Sequence, residues 1–299
     1  MDFQRVAVIG PGLLGGSLVR AIGSRSKESG VPEVRVWGRR AEPIEQLRSE
    51  GDATVASRDL AEVAAGADLI VLATPIGIMG AMIETLIELG AIREGVVVTD
   101  VGSVKASVVA RLEAPVHEAG ARFVGSHPMA GSEKTGLEYA SADLFVDAAC
   151  ILTPTPATDA VSLDRVESFW KWLGSRTSRL SPEEHDRSVA LISHLPHLVA
   201  ALLVESVLGR DAGAGEYAGG GFRDTTRIAS GAPEMWAEIL QENHEAVREA
   251  LGYFHQLTGE SLAFLDEVKK EDLLRLLADA KERRDDLCQR EDREPSHES

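Results

Sequence analysis

Three groups of residues in this chain have the types and spacing to do chemistry. The first is Gly10-Pro11-Gly12-Leu13-Leu14-Gly15, a G-x-G-x-x-G turn between the apolar run Arg5 to Ile9 and a segment of helical spacing that begins at Leu13. In such a turn the first glycine permits the tight bend and the second lets a pyrophosphate reach the backbone. The third lets the helix pack on its strand, and the unpaired N–H groups at the helix start, here Leu13 and Leu14, face the phosphate. Its place in the opening βαβ unit favours dinucleotide binding over a plain glycine bend. The second group is Arg39-Arg40, after the strand ending Val36-Trp37-Gly38. No carboxylate stands there to bond a ribose 2′-OH, whereas two guanidiniums could hold a 2′-phosphate through forked, charge-assisted hydrogen bonds. NADP is therefore the expected cofactor, with NAD possible; the plainer alternative is that both arginines only begin a solvated helix.

The third group gathers where ligands sit in an open parallel sheet, outside the carboxyl ends of its strands. Three segments fall there: Ala73-Thr74-Pro75, Asp100-Val101-Gly102-Ser103-Val104-Lys105, and Gly125-Ser126-His127-Pro128-Met129-Ala130-Gly131. Thr74 and Pro75 are expected beside the cofactor, and Ser103, Lys105 and His127 at its nicotinamide end. His127 is expected in a loop of small residues that leaves its ring unpacked. With an ordinary pKa near 6.5, an imidazole is largely neutral at working pH and can accept a proton.

The elements that must position these groups are legible in the apolar pattern. Short apolar runs at Arg5 to Ile9, Val34 to Trp37, Leu69 to Ala73 and Val96 to Thr99 alternate with helical periodicities at Leu13 to Arg25, Pro43 to Glu50 and Ile76 to Leu89. This pitch predicts a doubly wound, mostly parallel sheet with helices on both faces. Further strands are expected at Arg122 to Gly125, Ala149 to Thr153 and Arg176 to Leu180, with a helix from Asp159 to Leu173. After Ser181-Pro182-Glu183-Glu184, a strong helix start, only helical periodicity is found. The expected organisation is an α/β dinucleotide-binding domain at 1–180, an all-α domain at 181–280 and a charged, disordered tail at 281–299.

Composition narrows the function classes. The chain has 299 residues, 44% hydrophobic and only 5% aromatic, so a large core of mostly aliphatic side chains can be buried. Its formal net charge of -17 disfavours general nucleic-acid binding and leaves room for a small anionic substrate only in a local arginine-lined pocket. The two cysteines, Cys150 and Cys288, have no metal-ligand spacing, and no metal site is expected. With no signal peptide or membrane anchor expected, the location read is cytoplasmic. The apolar stretch from Val189 to Leu208 contains His194, Pro196, His197 and Glu205, and reads as a buried amphipathic helix rather than a membrane span.

In the second half, Ser193-His194-Leu195-Pro196-His197 could be a core helix kinked at its proline, with two structural histidines. His194 and His197 lack a third metal ligand. Arg223 and Arg227 share a face if their segment is helical, and form an anion site or pair with Asp224, Glu216 or Glu234. The leucines Leu262, Leu265, Leu273, Leu276 and Leu277 suit packing and a subunit interface.

Taken in order, Gly10 to Ser17, Asp100 to Lys105, Gly125 to Gly136, Ser193 to His197 and Gly219 to Arg227, with Trp236 beyond, resemble the prephenate/arogenate dehydrogenase family of tyrosine biosynthesis. The resemblance spans Arg5 to Trp236. It implies a Rossmann domain followed by a helical dimerisation domain, and hence a homodimer. It also implies oxidative decarboxylation of prephenate to 4-hydroxyphenylpyruvate, or of arogenate to tyrosine, with hydride passing to NAD(P)+. His127 matches the catalytic histidine, Ser103 the serine that hydrogen-bonds it, and Arg227 the arginine that grips the ring carboxylate. His197, His194, Ser132, Gly220 and Trp236 match positions lining the substrate site, and Arg223 stands where some relatives carry lysine. At this length, a fused chorismate mutase or regulatory domain is not expected. Two other readings stay open: a related β-hydroxy acid dehydrogenase or imine reductase using Lys105, and a dinucleotide-binding sensor without turnover.

Overall fold

Alternate side chains of strand β1, Arg5–Ile9, enter opposite apolar layers: Val6 and Val8 one, Ala7 and Ile9 the other. Strand β4, Leu69–Leu72, and strand β5, Val97–Asp100, divide in the same way. Strands buried on both faces require helices on both. The computed structural model, which describes residues 2–29, 32–131, 133–266 and 269–291, supplies them. Helices α1 (Leu13–Ser29) and α2 (Ala41–Glu50) cover one face with α6 (Ala160–Trp172), through Leu18, Ile22, Ile44, Leu47, Val166 and Phe169. Helices α3 (Leu60–Ala64), α4 (Ile76–Glu88) and α5 (Ala106–Glu118) cover the other through Val63, Met79, Ile83, Leu86, Val108 and Leu112.

The sheet has eight strands in the order β3-β2-β1-β4-β5-β6-β7-β8, completed by β2 (Glu33–Trp37), β3 (Val55–Ser57), β6 (Arg122–Pro128), β7 (Ala149–Thr153) and β8 (Arg176–Arg179). All pairs are parallel except β6 with β7. This is the Rossmann arrangement, doubly wound about β1 and β4. The antiparallel pairing changes one expectation. It sets His127 opposite Ile151 and Pro128 opposite Cys150, so β6 runs three residues beyond Gly125 and His127 lies in the strand. Its ring is 7% exposed rather than free in a loop.

Contacts divide the chain at a different place from the boundary expected near 180, which they do not test: among the described residues, those up to Val247 form one compact unit and those from Arg248 another. Helix α7 (Pro182–Val189) opens with the expected cap: Ser181 accepts from Glu184 N–H, and the Glu184 carboxylate accepts from Ser181 N–H. A five-residue π turn, Ala190–His194, leads into α8 (Leu195–Val207), with Pro196 in its first turn. Helices α9 (Gly220–Thr226) and α10 (Pro233–Glu242) follow, and α10 sends Ile239 and Trp236 into the apolar layer over α4 and α5. Helices α7 and α10 join this unit because Asp186, Glu238 and Glu242, with Trp236 and Ile239, are engaged on α4 and α5.

Helix α11 (His244–Asp266) crosses into the second unit, which also holds α12 (Lys270–Glu291). Residues 281–291 are thus helical where a disordered tail is expected. Seven of these eleven residues are Arg, Glu, Lys or Leu, which lose little rotamer freedom in a helix, and Lys281 pairs with Asp285 one turn on. Residues 292–299 lie outside the described residues. Leu262, Leu265, Leu274 and Leu277 are exposed, as are Leu191, Ile192 and Leu202 beside the π turn. The stretch from Pro182 to Val207 is long and apolar enough to cross a membrane. In this fold it instead buries His194, His197 and Ala200 and leaves one apolar face open.

The first βα junction sets the strictest steric condition. A methyl group on Gly15 would overlap the Gly10 carbonyl oxygen and come within 3.0 Å of Ala73 Cβ. Alanine raises helix propensity by about 1 kcal/mol over glycine, but overpacking against fixed backbone costs roughly 1–3 kcal/mol. Gly15→Ala is therefore expected to lower stability by roughly 1–2 kcal/mol and to weaken dinucleotide binding. An unchanged denaturation midpoint would show that the helix does not press on the turn.

Candidate active site

The turn after β1 is shaped by what surrounds it. Gly10 donates its N–H to Trp37 O at 2.9 Å and has φ of +114°, and a Cβ there would lie 2.6 Å from Ala73 O. Gly12 is the opposite case: a Cβ added to it would meet nothing within 4 Å. The chain's own packing does not ask for glycine at 12, and the open space leaves the backbone there accessible to a ligand. Helix α1 starts at Leu13 with no acidic residue in its first turn, so nothing in the helix competes with an anion for the N–H groups of Leu13, Leu14 and Gly15. Beside the turn, Thr74 Oγ1 is buried without a partner among the described residues, and Pro75 is the N-cap of α4. An open glycine and an orphaned hydroxyl on one rim fit a dinucleotide. Arg39 and Arg40 are exposed at the tip of β2, and Arg40 occupies the N-cap position of α2 without a side-chain cap bond. Arg58, from the turn after β3, donates Nε–H to Arg39 O at 3.0 Å.

The segment after β5 is fastened from beneath. Asp100 Oδ2 accepts from Gly102 N–H at 2.8 Å and pairs with Lys105 Nζ; Oδ1 accepts from Ser126 N–H at 3.2 Å. Lys105 Nζ donates also to Ser126 O at 2.9 Å, and Ser126 Oγ donates to Asp100 O at 2.6 Å. Trp170 Nε1–H donates to the same hydroxyl at 3.1 Å. This polar knot ties the 100–105 segment to β6, and so Ser103 to the strand of His127. Lys105 itself is fully buried within it.

His127 does not take its hydrogen bond from Ser103 among the described residues. Its Nδ1 lies 2.8 Å from His185 Nε2, and His185 Nδ1 lies 2.8 Å from Asp186 Oδ1. The Asp186 carboxylate also accepts the N–H groups of Lys105 at 2.7 Å and Ala106 at 2.9 Å, which begin helix α5. Desolvation holds the His127 pKa well below 6.5, and the neighbouring His185, Lys105 and His194 push it the same way. Desolvation also lowers His185, against the pull of Asp186.

Asn243 continues the network. Its Nδ2 donates to Asp186 O at 2.8 Å and lies 3.1 Å from His194 Nδ1. Two protons on one amide nitrogen serve both, so His194 Nδ1 accepts and Nε2 carries the proton. That Nε2 is buried without a partner among the described residues. Desolvation brings the His194 pKa down to about 4. Trp236 gathers the two histidines of the π-turn region: His197 stacks on it at 3.5 Å and 12°, and His194 meets it edge-on at 6.2 Å. Gly231 lets this happen, since a Cβ there would lie 2.9 Å from His197 Cε1 and strike Trp236 Nε1.

One continuous chain of contacts thus joins His127, His194, His197 and Trp236. Arg227 pairs with Glu133, in the loop after β6, rather than with Asp224, Glu216 or Glu234, and among the described residues no hydrogen bond or ion pair joins it to that chain. No described contact brings in Arg223, whose Nε–H is taken by Ala218 O at 3.2 Å, or Gly220, the first residue of α9. Ser132 lies outside the described residues. The sequence reading missed His185, Asp186, Glu133, Gly231 and Asn243. A signal for His185 existed: it shares the face of Pro182 and Val189 in a helix otherwise polar, at i+3 and i−4.

Comparison with known proteins gives a consistent result. Residues 22–179 match the family model "Prephenate dehydrogenase, nucleotide-binding domain", and residues 181–279 match "Prephenate dehydrogenase, dimerization domain". The cyclohexadienyl dehydrogenase of Zymomonas mobilis is 33% identical over 260 residues, 84% of this chain and 85% of that protein. A crystal structure of prephenate dehydrogenase from Aquifex aeolicus, in complex with hydroxyphenyl propionate and NAD+, is 32% identical with a TM-score of 0.87, covering 96% of this chain and 99% of that one. Synechocystis arogenate dehydrogenase is 30% identical with a TM-score of 0.77, over 95% and 100% of the two chains. A 3-hydroxyisobutyrate dehydrogenase from Salmonella typhimurium, 14% identical with a TM-score of 0.59, shares the fold alone. On two contiguous domain matches and full-length structural likeness, the chain belongs to the prephenate dehydrogenase family.

Proposed function

We propose that this protein oxidatively decarboxylates prephenate or arogenate, with NADP+ as the preferred hydride acceptor, and acts as a homodimer. The observation that carries the reading is the buried imidazole of His127 at the carboxyl end of β6, held neutral by desolvation, with Nδ1 engaged and Nε2 without a partner among the described residues. When bound, the nicotinamide accepts the hydride from the ring carbon that bears this hydroxyl. His127 Nε2 would take the hydroxyl proton as the carbon–oxygen bond becomes a carbonyl; loss of carbon dioxide from ring carbon 1 would then send its electron pair through the ring to that oxygen, which regains a proton as the phenol hydroxyl of an aromatic ring. Arg227 is the cation that would hold the departing carboxylate. His197 and Trp236 offer a flat wall to the ring, and His194 Nε2–H a buried donor. Relatives named for prephenate, arogenate and cyclohexadienyl substrates support this substrate class.

Lys105 argues against the β-hydroxy acid and imine alternative. It has no exposed surface and is held by Asp100 and Ser126, so it cannot reach a substrate. For the cofactor, the Aquifex structure holds NAD+, but β2 here ends without a carboxylate and Arg40 sits at a helix start, where a cation is disfavoured unless an anion binds it. The homodimer is supported by the dimerization-domain match and by the exposed Leu191, Ile192 and Leu202. We retain 1–180 and 181–280 as the domains in the evolutionary sense, beside the contact boundary at 247.

The test is kcat/KM for both substrates with both cofactors; no turnover in any pairing would overturn the reading. His127→Asn should lower kcat by roughly 10²–10⁴ with little change in cofactor binding. Because only neutral His127 can act as base and burial lowers its pKa, activity should persist as pH falls, with the acid limb of kcat/KM below pH 6.5. A limb at or above 6.5 would contradict the buried ring. Arg39→Asp should reduce use of NADP+ while use of NAD+ holds or rises; undiminished use of NADP+ would remove Arg39 from the site.

A further inference from the structure

We propose that His185 and Asp186 are positioning residues that lock His127 in the tautomer bearing its proton on Nδ1, so that the Nε2 lone pair faces the substrate. This rests on the reading of His127 as the base. The assignment follows from counting donors. Asp186 accepts two backbone N–H groups, from Lys105 at 2.7 Å and Ala106 at 2.9 Å, at the N-terminus of α5, where an anion is stabilised. As a carboxylate it has no proton to give, so His185 Nδ1, 2.8 Å from Oδ1, must be the donor. A neutral His185 then presents a bare Nε2. His127 Nδ1, 2.8 Å away, must carry the proton on that side. The rings meet at 64° with centroids 5.0 Å apart, which suits an in-plane bond from one ring to the next rather than stacking.

The arrangement has a chemical purpose beyond packing. A free imidazole divides itself between two tautomers, only one of which can accept a proton at Nε2. Fixing the tautomer removes that loss. It also prepares for the charged state: once Nε2 takes the hydroxyl proton, Nδ1–H still donates to His185, and Asp186 stands behind as the counter-charge. No proton needs to move along the chain. His185 is buried and Asp186 nearly so, so water does not substitute for either partner. In enzymes where a carboxylate sets a histidine tautomer, its neutral replacement lowers kcat by up to about 10⁴; with a second ring interposed, a fall of about 10–10³ is expected.

The test pairs a tautomer measurement with two variants. In the full-length protein carrying ¹⁵N-histidine, without substrate, two-bond ¹⁵N–¹H correlation should show His127 with its proton on Nδ1; a proton on Nε2 overturns the proposal. His185→Leu, which removes the acceptor, should lower kcat by about 10–10³ with the cofactor dissociation constant unchanged. His185→Gln, which places an amide oxygen near the lost Nε2, should recover part of that rate. Equal impairment of both variants, or an undiminished kcat in His185→Leu, would reduce the pair to packing. If His185→Leu fails to fold, the tautomer measurement on the unaltered protein decides alone. If the unaltered protein turns over neither prephenate nor arogenate, the functional reading falls, while the tautomer result still stands for or against the His185 assignment.

Discussion

The Asp186 carboxylate sits where three parts of the molecule meet. It closes the N-terminus of α5 by accepting the N–H groups of Lys105 and Ala106, holds the ring of His185, and through its own carbonyl receives Asn243. All of these contacts but the part-buried one from Ala106 are buried, and an unpaired carboxylate there would cost several kcal/mol. Helices α7 and α10, which follow the Rossmann strands in sequence, are therefore joined to α5 by polar bonds as well as by apolar packing. That constraint explains why the contact boundary falls at 247 rather than at 180. It also explains how residues from two sequence regions form one site without any rigid loop between them.

The knot around Asp100 and Lys105 does complementary work on the sheet side. A buried ion pair contributes little net stability once desolvation is included, but breaking half of one is expensive. Its value here is geometric. Asp100, Gly102, Lys105 and Ser126 hold the segment after β5 against β6, so that Ser103 and His127 stand at neighbouring strand ends. Lys105 acts as a fastener, which is why a lysine close to the cofactor end of a Rossmann cleft need not be chemical.

The parallel sheet was readable because its strands are buried on both faces and appear as unbroken apolar runs; Arg5–Ile9 and Ala149–Thr153 are recognisable to the residue. Strand β3 has only three residues, α3 only five, and α5 carries a proline at 115, so none of them produces a clean period. Among candidate site residues, the glycine turn and His127 carry signals of type and spacing, whereas His194, His197 and Trp236 are pointed to only by the family resemblance. The Asp186 network has neither. Its members come from α7, α5, β6 and α10, and a contact between positions 127 and 185 leaves no periodic trace. His127 looked exposed because small residues surround it, yet strand pairing with β7 at Ile151 extends over it and draws the ring inside.

Burial of neutral imidazoles also accounts for the charge economy of the site. With a formal net charge of -17, the chain as a whole repels an anion. A lining of protonated histidines would attract one, but burying those charges would oppose folding. The network resolves the conflict by keeping its histidines uncharged: desolvation lowers His127, His185, His194 and His197 alike. Positive charge would be left to guanidiniums such as Arg227, which is 59% exposed and paired with Glu133. In the proposed reaction, attraction of the carboxylates and acceptance of the proton are thus assigned to different residues. The base can sit buried, where desolvation keeps it neutral at physiological pH, while the anion would be recognised at an arginine that never has to give up its proton.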